Sequence, residues 1–316
     1  MNLKSTKVVI IGVGNVGATC AYTIVNMGLC DQLCLIDMNK EKAIGEAMDL
    51  THAVHFMNRN MQVYAGGYSD CSDADAIIVT ASAPMDTSND RLTWLAPSKK
   101  VMKSIVSSVM ASGFSGIFIV VSNPVDLMTY YIQKLSGLPE RQVIGSGTTL
   151  DTARLCCEIG SLFELNSKSV SAYVMGEHGD SEMVAWSTAT VGGKQLRDVM
   201  EDNRSRAGDV DLDRLQEQTK KAGWEIFNRK HNTSYGIAAS TCAILKSILL
   251  NENRIYPVSV MLRGQYGLTG VCLSVPTILD RTGAKEIVEI RLAKGESKNL
   301  KRSADVVRSC YDLLED

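Results

Sequence analysis

KVVIIGVGNVGATCAYTIVNMGLCDQLCLID, residues 7–37, decides the fold. Val8 to Ile11 is an unbroken apolar run that resumes at Val13, the pattern of a parallel strand buried on both faces. Gly12, Gly14 and Gly17 follow in the spacing G-x-G-x-x-G. Ala18, Tyr22, Val25 and Leu29 then recur at helical spacing, and Gly28 reads as the helix stop. A second strand, Leu33 to Ile36, ends in Asp37. The first glycine allows a tight turn, the second lets a pyrophosphate approach the backbone, and the third lets helix and strand pack closely. Asn15 and Val16 would present N–H groups to phosphate at the positive end of the helix. Asp37 stands where an acid accepts bonds from a ribose 2′-hydroxyl, and it would repel a 2′-phosphate. The motif is weak alone. With strand, helix and acid in place it predicts a dinucleotide site for NAD rather than NADP.

Outward from that unit, the 316 residues suggest two domains. A net charge of −2 gives no bulk attraction to nucleic acid or to an anionic membrane. No apolar run reaches the roughly eighteen residues of a membrane span. The N-terminus runs straight into the first strand without the pattern of a secretory leader. Nine cysteines, several within apolar stretches, read as reduced thiols of a cytoplasmic protein. No C-x-x-C occurs, and with four histidines no metal site is expected.

Lys40 to Phe56 reads as a helix, 61–66 as a strand, and Ala76 to Val79 as a buried strand. Thr80, Ala81 and Ser82 follow at a strand's carboxyl end, where open α/β sheets bind ligands. Residues 83–100 start as a polar loop, either a lid or a solvated connector, with a helix from about Pro97 to Ser112. After the strand in GIFIVV, Asn123 suits a helix cap and Pro124 the first turn; the Asn123 amide could equally face the crevice. QVIG is a last short strand. Asp151 and Arg154, three apart on the next helix, share a face and as a bare pair could be a surface ion pair. Up to about residue 145 strands and helices alternate regularly. Beyond it come strands over 169–176 and 183–193, a long helical region over 209–253 kinked near His231 to Ser234, strands within 257–279 and a final amphipathic helix from Lys294. The prediction is an α/β protein: an N-terminal doubly wound parallel sheet (Rossmann) over 1–145 and a C-terminal α+β catalytic domain over 146–316.

IGVGNVGAT, SNPVD, IGSGTTLDTAR, GEHGDSE and NTSYG together carry a resemblance over essentially the whole chain. The sequence resembles the L-lactate/malate dehydrogenase family, particularly its L-lactate and L-2-hydroxyisocaproate branches. That resemblance implies an NAD-dependent oxidoreductase of 2-hydroxy acids and assigns roles. His178 would be the acid/base, which suits an imidazole titrating near neutrality, and Asp151 its carboxylate partner. Arg154 would grip the substrate carboxylate with a planar fork that Lys cannot copy. Arg91 would polarise the 2-oxo group as the loop closes and excludes water. Asn123 would face substrate and cofactor ribose, Ser146 the nicotinamide side, and Thr233 the pocket wall. Gly12, Gly14, Asn15, Val16, Gly17, Asp37, Thr80, Ala81 and Ser82 would line the cofactor.

Two departures shape the expectation. At the family's specificity position, lactate enzymes carry Gln and malate enzymes Arg; this chain has Met85, which offers no charge to a second carboxylate. Where many bacterial lactate enzymes bind fructose 1,6-bisphosphate through an Arg and a His, this chain has Cys156 and Ser171, so that control is expected to be absent. The best-matching activity is L-lactate dehydrogenase, pyruvate with NADH to L-lactate with NAD. Alternatives are an L-2-hydroxyisocaproate-type enzyme for longer apolar 2-oxo acids, a malate dehydrogenase, and a non-catalytic NAD-binding protein. The resemblance also implies a cytoplasmic, glycolytic homo-oligomer, a dimer or tetramer, with no nucleic-acid or membrane partner.

Overall fold

The computed structural model describes residues 5–83 and 91–315; the side chains of residues 91–94 and 206–207 lie outside that description. β1 (Lys7–Ile11) is buried at every position. α1 (Asn15–Met27) follows and ends at Gly28, which is left-handed at φ 61°, a conformation glycine adopts without a Cβ clash. The helix buries Gly17, Cys20, Ala21, Ile24 and Val25, while Tyr22 is exposed. The period expected for α1 therefore holds, but its phase is turned. Small residues let the helix approach the sheet, and that close face, not the bulkiest side chain, faces inward.

β2 (Gln32–Ile36), α2 (Lys40–Val54) and β3 (Gln62–Ala65) complete one half of the doubly wound unit. β4 (Ala76–Val79), α3 (Arg91–Ala111), β5 (Ile117–Val120), α4 (Val125–Ser136) and β6 (Val143–Gly145) form the other. The six strands pair in parallel in the order β3-β2-β1-β4-β5-β6. The order reverses between β1 and β4, so the crevice opens at their carboxyl ends.

Two local expectations are corrected here. α3 starts at Arg91, and Pro97 lies inside it. Proline sacrifices one helical hydrogen bond, but Leu95, Met102, Val106 and Val109 are all buried and their helical spacing carries the element across that loss. Pro124, not Asn123, takes the N-cap position of α4 and makes no side-chain cap; Asn123 stands just outside the helix and is exposed.

The second half runs α5 (Thr149–Leu162), β7 (Val170–Ser171), β8 (Val174–Met175), β9 (Met183–Val184), β10 (Thr190–Val191), β11 (Lys194–Gln195), α6 (Leu196–Asp202) and α7 (Arg204–Ala207). It continues with α8 (Leu212–Lys230), α9 (Tyr235–Leu249), β12 (Arg254–Arg263), β13 (Thr269–Asp280), β14 (Gly283–Ile287) and α10 (Lys294–Arg308). The stretch read as one strand over 169–176 divides into β7 and β8, which pair in different sheets. Likewise 183–193 divides into β9 and β10 around a 3-10 turn at Trp186–Thr188. The kink expected near His231 is a full break, with His231 left-handed at φ 59° between α8 and α9.

β12 runs antiparallel to β6 through Ser259 and Gly145, and β13 and β14 extend the sheet outward. Among the described residues the main sheet thus has nine strands, and the α+β half is grafted onto the parallel sheet. Its apolar core is continuous from Val8 and Ile77 to Leu273 and Leu279. A smaller core of Leu155, Ile159, Phe163, Val174 and Leu215 lies beneath α5. All nine cysteines are free thiols. Among the described residues no helix is long and apolar enough to cross a membrane.

Candidate active site

The glycine loop lies where β1 meets α1. A Cβ on Gly12 would sit 2.6 Å from the Ala81 nitrogen, and one on Gly17 would sit 1.9 Å from the Gly12 carbonyl oxygen. Neither residue can carry a side chain without moving backbone. A Cβ on Gly14 would meet nothing within 4 Å. That space lies at the N-terminus of α1, where Gly14 is the cap residue and offers no capping side chain to the first-turn N–H groups of Asn15, Val16 and Gly17. The loop therefore fits a pyrophosphate at Gly14. The Thr80 hydroxyl donates to the Gly12 carbonyl at 2.5 Å, and the Ser122 hydroxyl donates to the Ala81 carbonyl at 2.5 Å, tying the β4 end to the loop. Ser82 is exposed beside them.

Asp37 faces this loop. One of its oxygens accepts from the Val13 N–H at 2.7 Å, the other from the Asn39 N–H at 2.9 Å. These bonds fix the carboxylate at the end of β2, and each oxygen keeps a lone pair for a ribose hydroxyl. Ser146 follows β6 and is buried, its N–H bonded to the Val120 carbonyl.

The candidate acid/base centre joins two segments, α5 and the turn that carries His178. Asp151, in the first turn of α5, has a side chain only 3% exposed. One oxygen accepts from Arg154 Nη1 at 2.8 Å and the other lies 2.7 Å from His178 Nδ1. The pair that could have been a surface bridge is thus a buried carboxylate joining a guanidinium to an imidazole. Burial opposes the Asp151 charge, but His178 and Arg154 together hold its carboxyl below the usual range. For His178, burial likewise opposes the charge, and the Asp151 carboxylate outweighs it, raising the imidazole to about 9. With Nδ1 on Asp151, Nε2 is the ring atom available to a substrate. His178 is 30% exposed on that side chain. Arg154 spends one of five donors on Asp151, leaving the others for a planar anion.

Sequence reasoning missed two members. Asp126, in the first turn of α4, accepts from the His178 backbone N–H at 2.8 Å and from the Ser259 hydroxyl at 2.6 Å. Burial pushes its carboxyl up to about 6. Glu182 is 4% exposed, and one of its carboxyl oxygens, an Asp151 oxygen and a His178 ring nitrogen lie within 4.8 Å of one another. Both sit inside motifs quoted above, SNPVD and GEHGDSE, but local pattern does not say which of their acids turn inward. These three donor groups could also face a cation. The Arg154 guanidinium on Asp151 already occupies that electrostatic role.

Thr233 lies half-buried in the break between α8 and α9. Met85 lies outside the described residues. So does the Arg91 side chain, whose backbone opens α3.

Comparison with known proteins agrees with this geometry. Residues 6–145 match the NAD binding domain of lactate/malate dehydrogenases, and residues 148–314 match the alpha/beta C-terminal domain of the same family. L-lactate dehydrogenase 3 of Bacillus cereus is 47% identical over 308 residues, 98% of each chain. L-lactate dehydrogenase 2 of Lactococcus lactis subsp. lactis is 43% identical over 315 residues, the full length of both. The crystal structure of the minor L-lactate dehydrogenase from Enterococcus mundtii in its ligands-bound form superposes with a TM-score of 0.95 at 42% identity, covering 98% of this chain and 99% of that one. The chain, with an NAD-binding glycine loop on a 3-2-1-4-5-6 sheet joined to a buried carboxylate that holds a His and an Arg, therefore belongs to the lactate/malate dehydrogenase family.

Proposed function

We propose that this protein is an NAD-dependent L-2-hydroxy acid dehydrogenase whose principal reaction interconverts pyruvate and L-lactate. The observation that carries this reading is the Asp151 carboxylate bridging His178 and Arg154. It sets a proton donor and a carboxylate-binding fork side by side, the two groups a 2-oxo acid requires.

The cofactor would lie along Gly12, Gly14, Asn15, Val16, Gly17, Asp37, Thr80, Ala81 and Ser82, with Asn123 and Ser146 toward its reactive end; bound there, the nicotinamide supplies the hydride. Arg154 holds the substrate carboxylate. Arg91, at the start of α3, polarises the 2-oxo oxygen. His178 Nε2 gives that oxygen its proton as C2 becomes tetrahedral, and Asp151 keeps the ring oriented in both charge states. In the oxidation direction His178 takes the hydroxyl proton back. Thr233 and Met85 border the substrate's C3 group. The apolar side chain at Met85 favours a second reading beside the first, in which longer apolar 2-oxo acids are used as well as pyruvate.

The domain boundary is placed at 145/146, between cofactor and catalytic halves. We assign the enzyme to the cytoplasm, as a glycolytic dimer or tetramer. Met38, Ile44, Met48 and Phe56, in and beside α2, are exposed and support a face covered by a second copy. The test of the reaction is NADH consumption with pyruvate, with chiral analysis of the product. L-lactate formed in step with NADH lost is expected; absence of turnover overturns the reading.

A further inference from the structure

Glu182 is buried beside the proton-transfer pair, yet nothing in the reaction above uses it. Its Oε1 is buried and has no hydrogen-bond partner. Its residue is 4% exposed, and its donor oxygen lies within 4.8 Å of the ligand atoms of both Asp151 and His178. A second carboxyl this close to Asp151 cannot ionise freely. An unpaired buried polar oxygen is also costly for packing alone, which argues for a role.

We propose that Glu182 is a positioning residue that acts through His178: its carboxyl faces the Asp151–His178 pair and sets the pH at which the imidazolium releases its proton. This rests on the reading of His178 as the proton donor. The other groups facing His178 and Glu182 are Asp151 and Arg154 from α5, Lys220 from α8, and Asp126 from α4. Arg154 is tied to Asp151, and Lys220 donates to the Asp180 carbonyl at the surface. Among the described residues Glu182 is thus the acid that reaches the pair without a hydrogen bond of its own to either member. Burial first, and the Asp151 carboxylate second, push the Glu182 carboxyl well above the usual carboxylate range. Two such groups titrate as a unit. A negative charge on Glu182 favours the proton on His178, so removing that carboxyl should ease its release.

The test is the titration of His178 in the free enzyme by NMR of carbon-13-labelled histidine. The chain has four histidines, and His178→Asn identifies the signal. Glu182→Gln keeps the shape and removes the charge. The expected result is a His178 midpoint lowered by about one pH unit, with the high-pH limb of pyruvate reduction moving by the same amount. Glu182→Asp, which keeps the charge on a shorter stem, should recover part of the shift. If the Gln variant does not fold, the Asp variant still reads the proposal, as a smaller lowering. An unchanged midpoint in the variant that folds overturns it. Failure of the wild type to reduce any 2-oxo acid would instead overturn the reaction while leaving the NMR result interpretable.

Discussion

His178 concentrates the chemistry at the scale of single residues. Its raised value, about 9 against an ordinary 6.5, means the free enzyme holds the imidazolium through neutral pH. In the proposed reaction pyruvate reduction draws on that proton. Its kcat/KM should stay level through neutrality and fall as pH rises through about 9, while L-lactate oxidation rises over the same window. The linked stability has the same sign: it is fully present below 6.5 and lost as pH climbs through about 9. Replacing His178 with Asn should lower kcat at least about a hundredfold and leave NADH binding nearly intact, read by fluorescence titration. Near-normal turnover would remove His178 from the mechanism. Asp37 makes the second residue-scale prediction. Its carboxylate is pinned by two backbone N–H bonds and cannot swing away from a 2′-phosphate. NADH should exceed NADPH in kcat/KM by about tenfold or more; equal values would refute this.

Elements show which parts of the sequence were legible. The loop from β1 to α1 was readable because its constraint is local: glycine spacing, a strand before and a helix after. Two glycine variants test it. Gly14→Ala places a methyl in open space, so Tm should hold while NADH affinity drops. Gly17→Ala drives a Cβ into the Gly12 carbonyl, at a cost of about 1–3 kcal/mol for overpacking, so Tm and NADH affinity should both fall. Thermal melts and NADH titrations on the two variants check this; equal loss of Tm in both would contradict it. The division of 169–176 into β7 and β8 was not legible. No turn signal lies between the two pieces, and only distant partners, Thr190 for Ser171 and Val184 for Val174, separate them. Pro97 misled for the opposite reason. A strong local signal marked a helix start, and the buried row from Leu95 to Val109 overrode it.

The whole molecule explains why Asp151 and Arg154 looked ordinary in the sequence. Their burial depends on α8 and on the turn carrying His178, neither of which is near them in the chain. The graft of β12 onto β6 is equally non-local. Two of the motifs that carried the resemblance, SNPVD and GEHGDSE, are far apart in the chain and meet where Asp126 accepts from the His178 backbone N–H. Regulation belongs to this scale too. Cys156, whose thiol burial pushes up to about 11, and the exposed Ser171 bring no positive charge to a phosphate. Fructose 1,6-bisphosphate should leave the KM for pyruvate unchanged, and light scattering should report the mass of two or four chains with or without it. A marked drop in KM would show a site elsewhere.

A panel of 2-oxo acids assayed for kcat/KM with NADH tests the central claim most directly. Among the described residues Arg154 is the guanidinium fork beside His178, and in the proposed reaction the uncharged Met85 meets the substrate's C3 group, where a second carboxylate would press. An unpaired carboxylate stripped of water costs several kcal/mol, whereas each well-fitted methylene contributes about 0.8 kcal/mol. Pyruvate, or a slightly longer apolar 2-oxo acid, should rank first and oxaloacetate last by orders of magnitude, with Met85→Arg bringing oxaloacetate up and pyruvate down. Oxaloacetate reduced by the wild type as efficiently as pyruvate would contradict the account.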